Sequence, residues 1–239
     1  MNRDIKAYVA EFIGTFTLVF LGCGAVWAAS QPGYTAGPIV PAFAHGLAIV
    51  FAAYALGHFS GAHLNPSVTI AVAIAGAISW VKAAIYIVVQ IVAAIVAAAV
   101  LNFILGGNAA AQFGAFSFDA SKHNSMGIFF LEMIMAFLLS TVVLQAAVRG
   151  KAGNLAGLAI GLTLVGLILG GGAISGASVN PARTLGPAIV AGNLNQVVFY
   201  VAGTVIGAAL AALVSTQLLG MKDDGEPSIA RKNTGRRHE

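Results

Sequence analysis

Ser178-Val179-Asn180-Pro181-Ala182-Arg183-Thr184 is a polar, proline-broken stretch in a strongly apolar chain. His63-Leu64-Asn65-Pro66-Ser67-Val68-Thr69 nearly repeats it, without the arginine. Asn is a favoured helix N-cap, and Pro suits the first helical position because its missing N–H would be unpaired there anyway. Each Asn-Pro therefore reads as the start of a short helix, over 66–76 and 181–191. Neither is long enough to cross a bilayer, so each is expected to be a re-entrant half-helix.

Around these segments lie six apolar runs, about 5–29, 40–59, 82–104, 127–148, 154–173 and 195–219. Each approaches the roughly 20 residues that span about 30 Å of hydrocarbon. Of the 239 residues 59% are hydrophobic and 8% charged, where a soluble domain spends about a quarter of its residues on charge. The expected class is an all-α polytopic membrane protein. The net charge of +4 is then no sign of a nucleic-acid partner; the placement of the charges matters more. Met1 to Lys6 begins like a signal peptide, but the run behind it carries Glu11 and continues past Trp27, too long for a cleaved segment. The first span is expected to be retained.

The two halves repeat. Ala10-Glu11-Phe12-Ile13-Gly14-Thr15 opens one and Leu131-Glu132-Met133-Ile134-Met135-Ala136 opens the other. Three spans per half require opposite insertion, giving an inverted repeat over about 5–105 and 127–219. Arg3, Lys6, Lys82, Arg149, Lys151 and the tail cations Lys222, Arg231, Lys232, Arg236 and Arg237 fall on one side of this arrangement; only Lys122 falls on the other. The positive-inside rule then makes both termini cytoplasmic. Residues 1–221 read as one channel domain and 222–239 as a polar tail, expected to be disordered. Ala10/Gly14, Gly57/Gly61, Gly157/Gly161 and Gly203/Gly207 are expected to let helices pack closely in lipid. Cys23, alone in the chain, is read as a small packing residue.

Helix N-termini carry about half a positive charge and unpaired amides. Half-helices entering from opposite faces bring two such ends together at the midplane. There the Asn65 and Asn180 amides offer donors to a neutral solute, in a field that opposes cations and hydronium.

With both motifs in place the chain resembles the aquaporins of the major intrinsic protein family, over roughly 5–219. It is closest in kind to a bacterial-type water channel, and its first Asn-Pro is followed by Ser67 where the family usually has Ala. The resemblance implies six spans with two half-helices, and a homotetramer in the cell membrane with one pore per subunit. The pore centre falls on Asn65, Pro66, Ser67, Asn180, Pro181 and Ala182. Glu11 and Glu132 would hold the loops that precede the half-helices, and His63 would line the cytoplasmic vestibule, while His58 packs or faces solvent. Arg183 becomes the arginine of the selectivity constriction, and the family's spacing adds His45, Ile168 and Ala177.

That set resembles the constriction of plant vacuolar-membrane aquaporins, which implies water with ammonia, urea or hydrogen peroxide as further solutes. Thr184 stands where glycerol channels usually have Asp, which ranks a glycerol facilitator second. A secondary transporter would want more titratable groups on its route, and a junction protein built on this fold would not need both caps and Arg183. No Ser/His/Asp or metal-ligand constellation suggests an enzyme, and no cofactor is implied.

Overall fold

A computed structural model describes residues 2–107 and 124–220. Lys122 and the tail from 222 onward, including its basic residues, lie outside the described residues. Among the described residues the chain is all helical. Its α-helices are α1 (Arg3–Ala29), α2 (Ile39–Ser60), α3 (Pro66–Ile74), α4 (Trp80–Ile104), α5 (Ser125–Val142), α6 (Ala156–Ser175), α7 (Pro181–Val190) and α8 (Val197–Gln217). Six are long and apolar enough to cross a membrane; α3 and α7 are the half-helices, of 9 and 10 residues.

Local chemistry sets most of the boundaries. Asn2, Ser79 and Asn124 cap α1, α4 and α5 by accepting from Asp4, Lys82 and Gly127 N–H groups, which satisfies donors that a helix start leaves unpaired. Gly61 and Gly176 end α2 and α6 in the left-handed conformation, at φ 90° and 75°. One boundary had no sequence signal. α5 passes into a π-helical turn over Val143–Val148, closed by the Arg149 N–H donating to the Leu144 carbonyl at 2.9 Å. A short 3-10 turn, Gly153–Leu155, then leads into α6.

The helices are turned inside out relative to a soluble bundle. Large apolar side chains such as Ile5, Val9, Ile13 and Leu21 on α1 are exposed, while Ala7, Ala10, Gly14 and Gly22 face inward. Small residues allow backbone contact where helices cross. A methyl group on Gly46 would lie 2.6 Å from the Gly161 carbonyl oxygen, and one on Gly161 2.6 Å from that of Gly46. α2 and α6 thus cross backbone to backbone at equivalent points of the two repeats. Gly203 and Gly207 press α8 against the Phe129 and Met133 carbonyls of α5 in the same way. The Gly57/Gly61 pair does not act as a helix contact: Gly57 has only Ala62 within ordinary distance, and Gly61 is the cap of α2.

Apart from Arg183 on α7, the described lysines and arginines gather where α1 and α4 begin and α5 and α8 end. Lys82 Nζ pairs with Asp4 at 2.9 Å, and Arg149 Nη1 donates to the Leu219 carbonyl at 2.8 Å.

Candidate functional site

The site is built from the two stretches that join a long helix to a half-helix. Ala62 and Leu64 in one, and Ala177 and Val179 in the other, adopt positive φ between 42° and 53°. Such backbone costs about 1–3 kcal/mol per residue and persists only where its surroundings enforce it. Here a carboxyl group enforces it each time. Glu11 Oε1 accepts from Ser60 Oγ at 2.7 Å and the His63 N–H at 2.9 Å, while Oε2 accepts from the Leu64 N–H at 2.8 Å. Glu132 Oε1 accepts from Ser175 Oγ at 2.7 Å and the Ser178 N–H at 2.9 Å, and Oε2 from the Val179 N–H at 2.7 Å. Both glutamates are fully buried. Tyr86 and Tyr200 brace the same corners by donating to the Ser60 and Ser175 carbonyls. The halves differ in one respect: Glu11 also receives Gln90 Nε2 at 2.7 Å.

Held this way, the two half-helices meet at their caps. Asn65 Oδ1 accepts from the Ser67 N–H, and Asn180 Oδ1 from the Ala182 and Arg183 N–H groups. The amide nitrogens reach across: Asn65 Nδ2 donates to the Val179 carbonyl at 2.8 Å and Asn180 Nδ2 to the Leu64 carbonyl at 2.9 Å. An amide nitrogen carries two hydrogens, so each Asn keeps one beyond this link. Pro66, Ser67, Pro181 and Ala182 are buried around the caps. The Ser67 hydroxyl is buried with no partner among the described residues.

A cavity of about 660 Å³ runs from Tyr54 and Asn154 at the basic end, past His63, Asn65 and Asn180, to His45 and Arg183. Ile168 and Ala177 are buried but lie outside its lining. His63 Nδ1 is 3.3 Å from Thr69 Oγ1 and its ring sits edge-on to Tyr86. His58 is exposed, its ring tilted by 43° against that of Phe59.

At the far end, His45 Nδ1 lies 2.7 Å from the Pro41 carbonyl and Arg183 Nε 3.4 Å from His45 Nε2. A carbonyl only accepts and a guanidinium only donates. The two contacts together define a neutral ring with its proton on Nδ1 and its Nε2 lone pair directed at Arg183. His45 therefore holds the arginine rather than presenting a donor of its own, a point the sequence left open. Arg183 is 2% exposed, and its Nη1 has no partner among the described residues.

Carrying the register of Asn65 and Asn180 along both halves pairs His45 with Ile160, Arg183 with Val68, Ile168 with Ala53 and Ala177 with Ala62. All four inner counterparts line the cavity, and all four are apolar. Sequence reasoning did not single them out, nor Leu18, Ile49, Tyr54, Leu139, Val143 or Leu164, which also line it. An apolar side chain facing a narrow cavity has the same sequence signature as one packed in a core; Tyr54, an aromatic near a span end, was the one with a usable signal. Among the described residues no group of His, Cys, Asp or Glu is placed to hold a metal ion.

The family model described as major intrinsic protein matches residues 2–215. Aquaporin NIP1-3 of Oryza sativa subsp. japonica is 40% identical over 205 residues, covering 85% of this chain and 70% of the relative. Aquaporin Z of Bradyrhizobium diazoefficiens is 37% identical over 221 residues, covering 88% and 92%. The aquaglyceroporin from Plasmodium falciparum superposes with a TM-score of 0.80 at 23% identity, covering 92% of this chain and 99% of that one. At that identity the match speaks for the fold alone.

Proposed function

The chain belongs to the major intrinsic protein family, and on that premise we propose that it is a passive, cofactor-free channel for water across a membrane. The observation that carries the reading is the crosswise link of Asn65 and Asn180 inside a continuous cavity. Each Asn uses one N–H to fix the junction and keeps one for a passing lone pair. A water molecule at that point accepts from two directions and so turns its own hydrogens outward. The half-helix N-termini and Arg183 add positive potential, which opposes cations and hydronium along the same path.

His45, Ile168, Ala177 and Arg183 form the outer constriction in this reading, with the pore centre at Asn65, Pro66, Ser67, Asn180, Pro181 and Ala182. His63 lines the inner vestibule, and Glu11 and Glu132 maintain the loops. Ammonia, urea and hydrogen peroxide are the candidate additional solutes, on the ground that Ile168 leaves one wall of the constriction apolar. The chain works as a homotetramer in the cell membrane, both termini cytoplasmic, and carries out no catalysis. The clustering of Arg3, Lys6, Lys82, Arg149 and Lys151 at one end of the bundle supports that orientation.

Proteoliposomes in an osmotic step test the reading: vesicles with the protein should shrink faster than empty ones without gaining proton conductance. Equal rates would overturn it. Glycerol entering as readily as water would favour a glycerol facilitator instead.

A further inference from the structure

We infer that Gly22, on α1, is a specificity-determining residue of the channel: its missing side chain seats the His45 ring and thereby fixes where Arg183 stands. The inference rests on the reading of His45 and Arg183 as the outer constriction. Gly22 is buried on the inner face of α1. A methyl group placed there would lie 2.3 Å from His45 Nε2, 2.4 Å from Cδ2 and 2.6 Å from Cε1. The ring thus rests directly on the backbone of α1.

A flexible side chain would simply step aside from such a methyl group, but this ring is held at both nitrogens. Nδ1 is tied to the Pro41 carbonyl one turn earlier on its own helix, and Nε2 receives Arg183 Nε. Any displacement has to break the Pro41 bond or push the ring toward the guanidinium. Position 22 therefore acts on the arginine through the histidine, without contact to a solute. The second half supplies the contrast. There the place of His45 is taken by Ile160, and the place of Gly22, counted from the two glutamates, by Val143. Both line the cavity. The small residue goes with the ring.

Gly22→Ala and Gly24→Ala are compared in proteoliposomes, each alone and with His45→Ala. A methyl group on Gly24 meets only Leu101 Cδ1 at 3.7 Å, so Gly24→Ala should transport like the wild type. Gly22→Ala should change the ratio of urea to water permeability by about tenfold, the scale on which one methyl group alters discrimination in a close-fitting site. In the His45→Ala background the same substitution should change that ratio no further.

Thermal unfolding in detergent provides a readout that needs no transport. Gly22→Ala should lower the midpoint when His45 is present and raise it when His45 is Ala, because only the helix preference for Ala over Gly then remains. An unchanged ratio in Gly22→Ala, or an effect that persists without His45, overturns the inference. Wild-type vesicles that pass neither water nor urea overturn the channel reading instead, and the sign of the midpoint change still decides the role of Gly22.

Discussion

Asn65 and Asn180 are joined crosswise, each donating its Nδ2 hydrogen to the carbonyl of the residue that precedes the other, Val179 and Leu64. Neither bond exists within one half of the chain. The two repeats are therefore locked together at the point where their helix ends meet, and the caps serve assembly as well as the path. Converting Asn180 to Asp keeps the shape and the acceptor toward the Ala182 N–H, but sets an oxygen against the Leu64 carbonyl. Asn180→Asp should lower stability by about 1–3 kcal/mol, the cost of a buried polar group left without its partner. It should also cut water permeability in stopped-flow light scattering. Wild-type unfolding behaviour would show that the cross-link contributes nothing.

How much of this was legible in the sequence differs by feature. The six spans and two half-helices could be read because length, capping and apolar runs are local properties. Asn65, Pro66, Asn180 and Pro181 carry their helix-start chemistry wherever they stand. The tautomer of His45 could not be read, since it depends on Pro41 and on Arg183 from the other half. The π turn at Val143–Val148 likewise has no local marker, and Gly57 looks in sequence like any small contact residue. Ile168 and Ala177 came only from the resemblance, by the family's spacing, and the cavity lining passes them by.

The two glutamates make a graded prediction. Glu132 accepts three hydrogen bonds from its loop, whereas Glu11 accepts three from its loop and a fourth from Gln90. A Gln in either place keeps one acceptor oxygen and turns an NH2 group toward donors. Each lost bond costs about 1 kcal/mol, more where a buried N–H is left unpaired. Glu11→Gln should therefore lower the unfolding midpoint more than Glu132→Gln, with both below the wild type. Equal midpoints would mean that the Gln90 contact contributes nothing, and the reverse order would overturn the prediction.

Ser67 points the other way. Its hydroxyl is buried with no partner among the described residues, while Ala182 holds the equivalent place with no hydroxyl to satisfy. Ser67→Ala removes a desolvated polar group and leaves the cap of Asn65 intact. Stability should rise by about 1 kcal/mol, with water permeability unchanged. A drop in either would show that the hydroxyl has a partner during permeation or assembly.

The arginine occurs in only one repeat, and the inner counterpart of Arg183 is Val68, with Ile160 in place of His45. The inner end of the cavity thus achieves its shape without charge, and the outer end need not carry charge to be formed. Arg183→Val would make the outer half chemically like the inner one. The Asn180 cap would survive, because its bonds run to backbone N–H groups and to Leu64 rather than to the guanidinium. His45 would keep Pro41 and lose its donor. Water should still pass at near the wild-type rate, since the Asn pair is untouched. Urea and glycerol should enter about tenfold faster, as removal of a close-fitting group relaxes discrimination on that scale. Proton conductance, measured with a pH dye inside the same vesicles, should rise only modestly if the half-helix N-termini supply most of the barrier. A large proton leak would instead assign that barrier to Arg183 and make the lone arginine the principal charge filter.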